Sequence, residues 1–380
     1  MLEVYVFDVL TGQRLTPLPV TTAQWTLTTN RDERIEATLL DDSVDAAALQ
    51  AWQAAIPGRS GLLCVADGIP VAAGPIWRRN YRQGERIEIT AGGLRSYFDR
   101  RILLPVAART QDLVGANGEP NAALDTSISG VSLGTIAKRY VELAAAWPGG
   151  GLPLVLPDDE PADRERNVLG VEVKRIGQLL VILSNVIGGP DIAFRPQFTT
   201  DGLGIEWRMS VGTEARPRLG NPDPSAVIFT IGGQSNAFAL NVSEDATELA
   251  EEAWAIGGDL ADRVLAARAR DATLNAAGYP LYQTALTGLN DVTEQETVTA
   301  YAEQAASLGR FSSSFWTMTV RSAPEVGQPR LGDYWLGDLV TLQIYGNPVI
   351  PDGDYVRRIA SISGDAVGDV YSITFAEALT

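Results

Sequence analysis

Between residues 331 and 377 the chain reads LGDYWLGDLVTLQIYGNPVIPDGDYVRRIASISGDAVGDVYSITFAE, and its apolar side chains recur every second residue. That period fits a strand with one buried face and excludes a helix over the same stretch. Leu339, Thr341 and Gln343 fall on one face, and Val340, Leu342 and Ile344 on the other. Turn residues interrupt the pattern at Gly346-Asn347-Pro348, Asp352-Gly353 and Gly364-Asp365. The stretch predicts three antiparallel strands joined by short turns. A similar arrangement lies near the start, where LLCVADGIPVAAGPIWRR reaches a turn at Gln83-Gly84 and continues as ERIEITAGG. Two related β modules in one chain are therefore expected.

A chain of 380 residues has room for two or three domains, each with its own core. No apolar run approaches the roughly 18 to 20 residues that cross a bilayer. The opening MLEVYVFDVL is acidic and strand-like rather than a basic leader, so a soluble protein made in the cytosol is expected, without stable membrane insertion. The net charge is -17, from 30 basic and 47 acidic residues. Nucleic-acid affinity rests largely on Lys and Arg, so a DNA-gripping role is disfavoured, whereas a surface past which DNA slides is compatible. Cys64 is the only cysteine and sits in LLCVA as a small core residue, which leaves no intramolecular disulfide. The absence of histidine removes Ser-His-Asp and Cys-His pairs, HExxH metal sites and the usual neutral-pH base. Chemistry by carboxylates alone stays open.

Residues 1–105 read as almost entirely β. One short helix lies in DDSVDAAALQAWQAAI, with Ser43 or Asp45 as its cap and Leu49, Trp52 and Ile56 at helical spacing. Trp25 and Trp77 alternate with polar neighbours and read as core or interface anchors. Arg95, Arg100 and Arg101 in GGLRSYFDRRILLPVA form the most basic run, either a solvated face or a partner for an acidic neighbouring subunit. Residues 106–225 predict a small α+β domain. Its helices are SLGTIAKRYVELAAAW, with Ile136, Tyr140, Leu143 and Trp147 on one stripe and Ser132 as cap, and KRIGQLLVILSNVIGG. A hairpin follows across Thr199 to Gly202. Asp158, Asp159, Glu160 and Asp163 invite a cation-site reading, but the spacing and central glycine of a calcium loop are missing, and a solvated loop is the plainer reading. From 226 the β pattern returns through 380, interrupted near 293–309 by TEQETVTAYAEQAASLG. There Thr293 and Glu296 are spaced as a capping box, and Val298, Tyr301, Ala305 and Leu308 face one way. The fold class read from these patterns is a β-rich α+β protein with two β barrels, the second carrying an inserted helix, and a small α+β middle domain.

The run from DRVLAARARD through AGYPLY, the helix, SSFWTMTV, PRLGDYWLGDLVTLQI and IPDGDYVRRIASISG resembles the minor tail proteins of long-tailed actinobacterial phages, the tail-tip or baseplate hub group. WTLT from Trp25, IEATLL, DGIPVAAGPI and ITAGGLRSYFDRR follow in the expected order, so the resemblance spans the chain. It implies two tube-like barrels per chain, three chains per ring and thus a pseudo-sixfold contact to a hexameric tail tube. It also implies a virion tail-tip location, a tail-tube or distal tail protein above, tip or receptor-binding proteins below, and tape measure protein as a candidate occupant of the lumen. No catalytic, cofactor or metal residue comes with it, and neither does sequence-specific nucleic-acid binding. Interface candidates are Trp25, Trp77, Arg95, Arg100, Arg101, Trp316 and Trp335. A cell-wall hydrolase is disfavoured because the chain ends at ITFAEALT directly after the barrel and histidine is missing. The alternatives kept are a non-catalytic receptor- or carbohydrate-binding tail protein, the hub of a gene transfer agent or contractile injection device, and a soluble β-rich protein of other role.

Overall fold

The computed structural model of the protein describes residues 2–31, 33–40, 46–186, 188–232, 237–260, 263–289, 295–310, 313–321, 328–365 and 370–377. The chain divides into two units, Met1–Leu240 with Thr317–Thr380, and Asn241–Trp316. Among the described residues no helix is long and apolar enough to cross a membrane.

The N-terminal module holds β1 (Leu2–Asp8), β2 (Arg14–Pro17), β3 (Thr22–Thr28), β4 (Arg34–Leu40), α1 (Ala46–Ala54), β5 (Ser60–Ala66), β6 (Ile69–Arg82), β7 (Arg86–Gly92) and the short α2 (Arg95–Phe98). The strands pair in the order β3-β4-β7-β6-β5-β1-β2. Strand β6 serves two neighbours: its first half pairs with β5 and its second half with β7, with a register shift between Ile76 and Arg78. Gly74 sits at this corner, where an added Cβ would lie 1.9 Å from the Gly92 carbonyl oxygen, so only glycine lets the two backbones approach. Strand β5 is buried at every residue, and Leu63 and Val65 on one of its faces pack into the core shared with the middle of the chain.

The middle of the chain supplies β8 (Thr126–Val131), α3 (Leu133–Ala145), β9 (Leu154–Val155), β10 (Arg164–Val168), α4 (Ile176–Ser184), β11 (Ile192–Phe198) and β12 (Ile205–Val211). Ser132 caps α3 by accepting the Thr135 N–H at 3.2 Å, as its position predicts. The β11–β12 hairpin turns across Thr199–Gly202. This region shares one core with the N-terminal module: Phe7, Leu63, Ala73 and Phe98 pack with Ile136, Tyr140, Leu180 and Trp207. Trp207 fixes the joint, with its ring edge-on to Phe7 at 5.5 Å and its indole N–H donated to the Ala73 carbonyl at 3.1 Å.

The last part holds β13 (Ile228–Ile231), β14 (Ala237–Asp245), β15 (Glu252–Leu260), β16 (Arg263–Arg270), α5 (Thr273–Ala276), β17 (Gln283–Leu289), α6 (Gln295–Gly309), β18 (Ser313–Arg321), β19 (Leu339–Ile344), β20 (Gly353–Asp365) and β21 (Val370–Glu377). The order β19-β13-β14-β18-β21-β20 returns on itself, because β19 also pairs with β20. Val340, Leu342 and Ile344 are fully buried while Leu339, Thr341 and Gln343 are half-buried, which is the alternation read from the sequence. Strand β20 then pairs with β3 across the modules, with Gly364 opposite Trp25 and Ser361 opposite Thr28. Both modules therefore belong to one continuous sheet.

Three sequence expectations change. Strands β15 and β16 leave the module's sheet and form a separate one in the order β16-β15-β17, covered by α6. The insertion is thus a small α/β unit and not a helix alone. In α6 the buried stripe is Val298, Ala302, Ala306 and Gly309, whereas Leu308 is 58% exposed. In α1 Ala51 is buried, as is Ala55 just past the helix end, whereas Leu49 is 60% exposed and Ile56 lies at the surface. Both helices approach their sheets through small side chains, and at α6 a Cβ on Gly309 would lie 2.8 Å from Ala250, leaving no room for a leucine face. Trp52 instead stacks under Arg79, 4.0 Å from guanidinium carbon to ring centroid. The cap positions Ser43, Asp45 and Thr293 lie outside the described residues.

Candidate assembly surfaces and the junction at Asp191

Asp191 opens β11 and is 1% exposed, yet it carries a carboxylate. A buried charge persists only when its lone pairs are all answered. Here Asn30, in the β3–β4 turn, donates its amide at 2.8 Å, the Leu219 N–H donates at 2.9 Å, Arg218 pairs at 3.2 Å, and Arg358 on β20 completes the set. Asn30 answers in turn, its side-chain oxygen accepting the Ile192 N–H at 2.9 Å. One carboxylate thereby ties the N-terminal module, the middle region and the closed β module together. Sequence reasoning passed over Asp191, whose only signal is a lone acid between a glycine-proline turn and an apolar strand.

Beside this junction, Gly220 and Gly337 meet back to back. Both have positive φ, 101° and 88°, and an added Cβ on Gly220 would lie 2.2 Å from the Gly337 carbonyl carbon. The Gly337 N–H donates to the Ile359 carbonyl at 2.8 Å, which docks the LGD turn on β20. A cavity of about 290 Å³ opens next to it, lined by the β3–β4 turn, the β11–β12 hairpin and the turn at Trp335–Asp338.

The interface candidates are scattered, and several are occupied within the chain. Trp25 is 1% exposed and packs tilted on Tyr371 at 5.8 Å, and Trp316 is 5% exposed, so neither offers area to a partner. Trp77 is half-buried, donates to the Ser96 hydroxyl at 2.7 Å and lies under Arg100 at 5.3 Å, so these two candidates form one cluster. Arg100 is exposed. Arg101 is tied down, donating to the Tyr97 hydroxyl at 2.8 Å and to the Ala144 carbonyl at the C-terminal end of α3 at 2.9 Å. Arg95 is 6% exposed and lines the cavity. Trp335 is half-buried, with Arg195 stacked over it at 4.0 Å. The basic run is thus divided between internal contacts and one exposed guanidinium.

The acidic loop at 158–163 does not gather into a cation site. Asp159 is paired with Lys138 at 2.8 Å and with Arg139, and the Glu160 carboxylate accepts the Glu214 N–H at 3.2 Å. Among the described residues no group of three or more acids, cysteines or histidines is placed to hold a metal.

The second unit has its own charge network. Glu251 is fully buried and accepts from Arg270 at 2.6 and 2.9 Å, while Glu252 accepts from Arg268 at 2.7 Å and from Gln283. The Arg268 guanidinium, helped by the Gln283 amide, holds the Glu252 carboxyl below the usual carboxylate range. The Thr273 hydroxyl and N–H, with Arg310 adding its charge, do the same for Asp271. Depressed carboxyl values stabilise the fold above the unfolded-state values, and the benefit is lost as pH falls through the depressed ones. Calorimetry of the full chain is expected to show a transition that is steady from neutral pH to about pH 5 and moves to lower temperature below about pH 4. Glu252→Gln flattens part of that acid limb.

No protein-family model matches the sequence, and no curated protein matches it. Solved structures do match. The 43 kDa tail protein of prophage MuSo2 from Shewanella oneidensis aligns over 99% of this chain and 98% of its own, at 14% identity and a TM-score of 0.55. This chain shares that tail protein's fold. A tail protein from Neisseria meningitidis MC58 gives the same result, covering 99% and 97% of the two chains at 13% identity and a TM-score of 0.56. Each alignment spans nearly the whole of both chains.

Proposed function

We propose that the chain is a structural protein of a phage-type tail and serves as its tail-tip or baseplate hub. The observation that carries this reading is the end-to-end match to two tail proteins, one of them from a prophage, joined to a β3–β20 seam that makes one sheet of two β modules. In this reading residues 1–105 and 226–380 are the two tube-protein-like barrels, and 106–225 is the α+β domain between them. Three chains form a ring with pseudo-sixfold contacts beneath a hexameric tail tube, as closed symmetry favours. Tip or receptor-binding proteins attach below, and tape measure protein occupies the lumen before ejection. The particle is the tail of a long-tailed actinobacterial phage or a phage-like device of the same design. The role is mechanical and not enzymatic: the ring joins tube to tip and gives DNA a passage. An acidic wall would let DNA slide without sticking, in line with the charge of -17. Within the ring Trp77, Arg100 and Trp335 are the sequence candidates with surface left to offer.

One observation favours a second reading, a receptor- or carbohydrate-binding tail protein. On the second unit's sheet Trp254 and Ile256 are each 43% exposed, on the side opposite the buried Ala253 and Ala255. Exposed aromatic residues on a sheet are what sugar rings stack on. The two readings separate by binding. The hub retains polymerised tail-tube protein from the same particle and no glycan of an array; specific glycan retention without tube binding would transfer the assignment to the second reading.

A further inference from the structure

The cavity beside Asp191 carries charge that the junction does not use. Three acids line it and none is free: Asp191 has its four partners, Asp338 accepts the N–H groups of Asn221 and Trp335, both at 2.6 Å, and Glu33 has a partner of its own. Arg195 differs. It stands on the outward face of β11, lies over the Trp335 ring, and makes no ion pair with a carboxylate among the described residues. Partial burial pulls its guanidinium below the usual arginine range, and the already engaged Asp338 counters this. Stacking uses the face of a guanidinium and leaves its in-plane N–H fork available. Leu94, Leu219 and Leu336 complete the wall, and the volume of about 290 Å³ accommodates a ligand of one ring or one side chain.

We propose that this cavity is a carboxylate-binding site, taking a carboxylate on a small apolar body, with Arg195 as the fork and Trp335 as the platform. The site is independent of the hub assignment. The carboxylate can come from a free small molecule or from an acidic side chain presented by a polypeptide, and one titration series distinguishes the two.

Purified full-length chain is titrated calorimetrically with sodium benzoate and with the capped tripeptide acetyl-Leu-Glu-Leu-amide. Benzamide and acetyl-Leu-Gln-Leu-amide serve as uncharged counterparts. Saturable binding of at least one carboxylate probe is expected, with its counterpart weaker by about tenfold or more, the usual worth of a charge-assisted hydrogen bond. Benzoate binding marks a small-molecule source, and binding of the peptide alone marks a polypeptide one. Arg195→Gln abolishes the difference between acid and amide, and Arg195→Lys keeps part of it. Because Arg195 holds no ion pair, both variants are expected to fold, with a melting temperature lowered by no more than the lost stacking on Trp335 accounts for, and the melting curves are recorded alongside. The proposal is overturned if neither carboxylate probe binds, if acid and amide bind equally, or if Arg195→Gln binds as wild type does.

Discussion

Asp191→Ala is expected to lower the melting temperature of the purified chain by about 5–8 °C, corresponding to a loss of about 3–5 kcal/mol. The effect comes from what remains behind. Arg358, with its side chain 17% exposed, loses its carboxylate inside the protein, and the Asn30 amide and Leu219 N–H lose their acceptor. Arg218 contributes little to the loss because its side chain is 57% exposed and water replaces the carboxylate. Asp191→Asn keeps an acceptor but not the charge and should fall between wild type and alanine. Because the carboxylate touches three regions, limited proteolysis of Asp191→Ala is expected to cut first near the β3–β4 turn and the 212–221 segment. A variant that melts with the wild type would mean that the junction is ornamental.

Gly337→Pro is expected to be more severe, at about 4 kcal/mol or more, and to yield insoluble chain or none that assembles. Three costs coincide. Proline locks φ near -65° where the turn needs +88°, it removes the N–H that bonds Ile359, and any Cβ at this position would lie 2.4 Å from the Leu219 carbonyl oxygen. Gly337→Ala keeps the N–H but meets the strain and the clash, and should cost about 2–3 kcal/mol. Solubility and the thermal transition of the two variants, measured side by side, separate the backbone hydrogen bond from the steric terms. A soluble Gly337→Pro protein that forms full-size rings would rule out the turn as an assembly determinant.

Local patterns were legible in the sequence, and long-range ones were not. The alternation at Leu339–Ile344, the Ser132 cap and the Thr199–Gly202 hairpin follow from rules that act over a few residues. The helix faces misled twice for one reason. Large apolar residues such as Leu49 and Leu308 were read as the buried stripe, while the helices dock through alanine and glycine, which carry weak hydropathy but permit close approach. The β3–β20 seam joins residues more than three hundred positions apart, Ser361 to Leu27 through a 2.8 Å hydrogen bond among them, and nothing local encodes it. The separate sheet of the second unit was hidden for a related reason, since β15 and β16 have the same alternation whichever sheet they join. Of the candidate residues, the tryptophans were found because large rings are rarely idle. Their division between core, as for Trp25, and surface, as for Trp77 and Trp335, depends on neighbours that only the fold supplies. Asp191 went unread because its partners come from Asn30, Arg218 and Arg358, which no spacing connects.

Three copies of the chain are expected to close into a ring. The most direct test is the mass of the purified chain in solution by multi-angle light scattering, measured over a range of concentrations with and without tail-tube protein. A species of three times the 40.7 kDa chain mass is expected, alone or once the tube protein is added. A mass of one chain under every condition would contradict it.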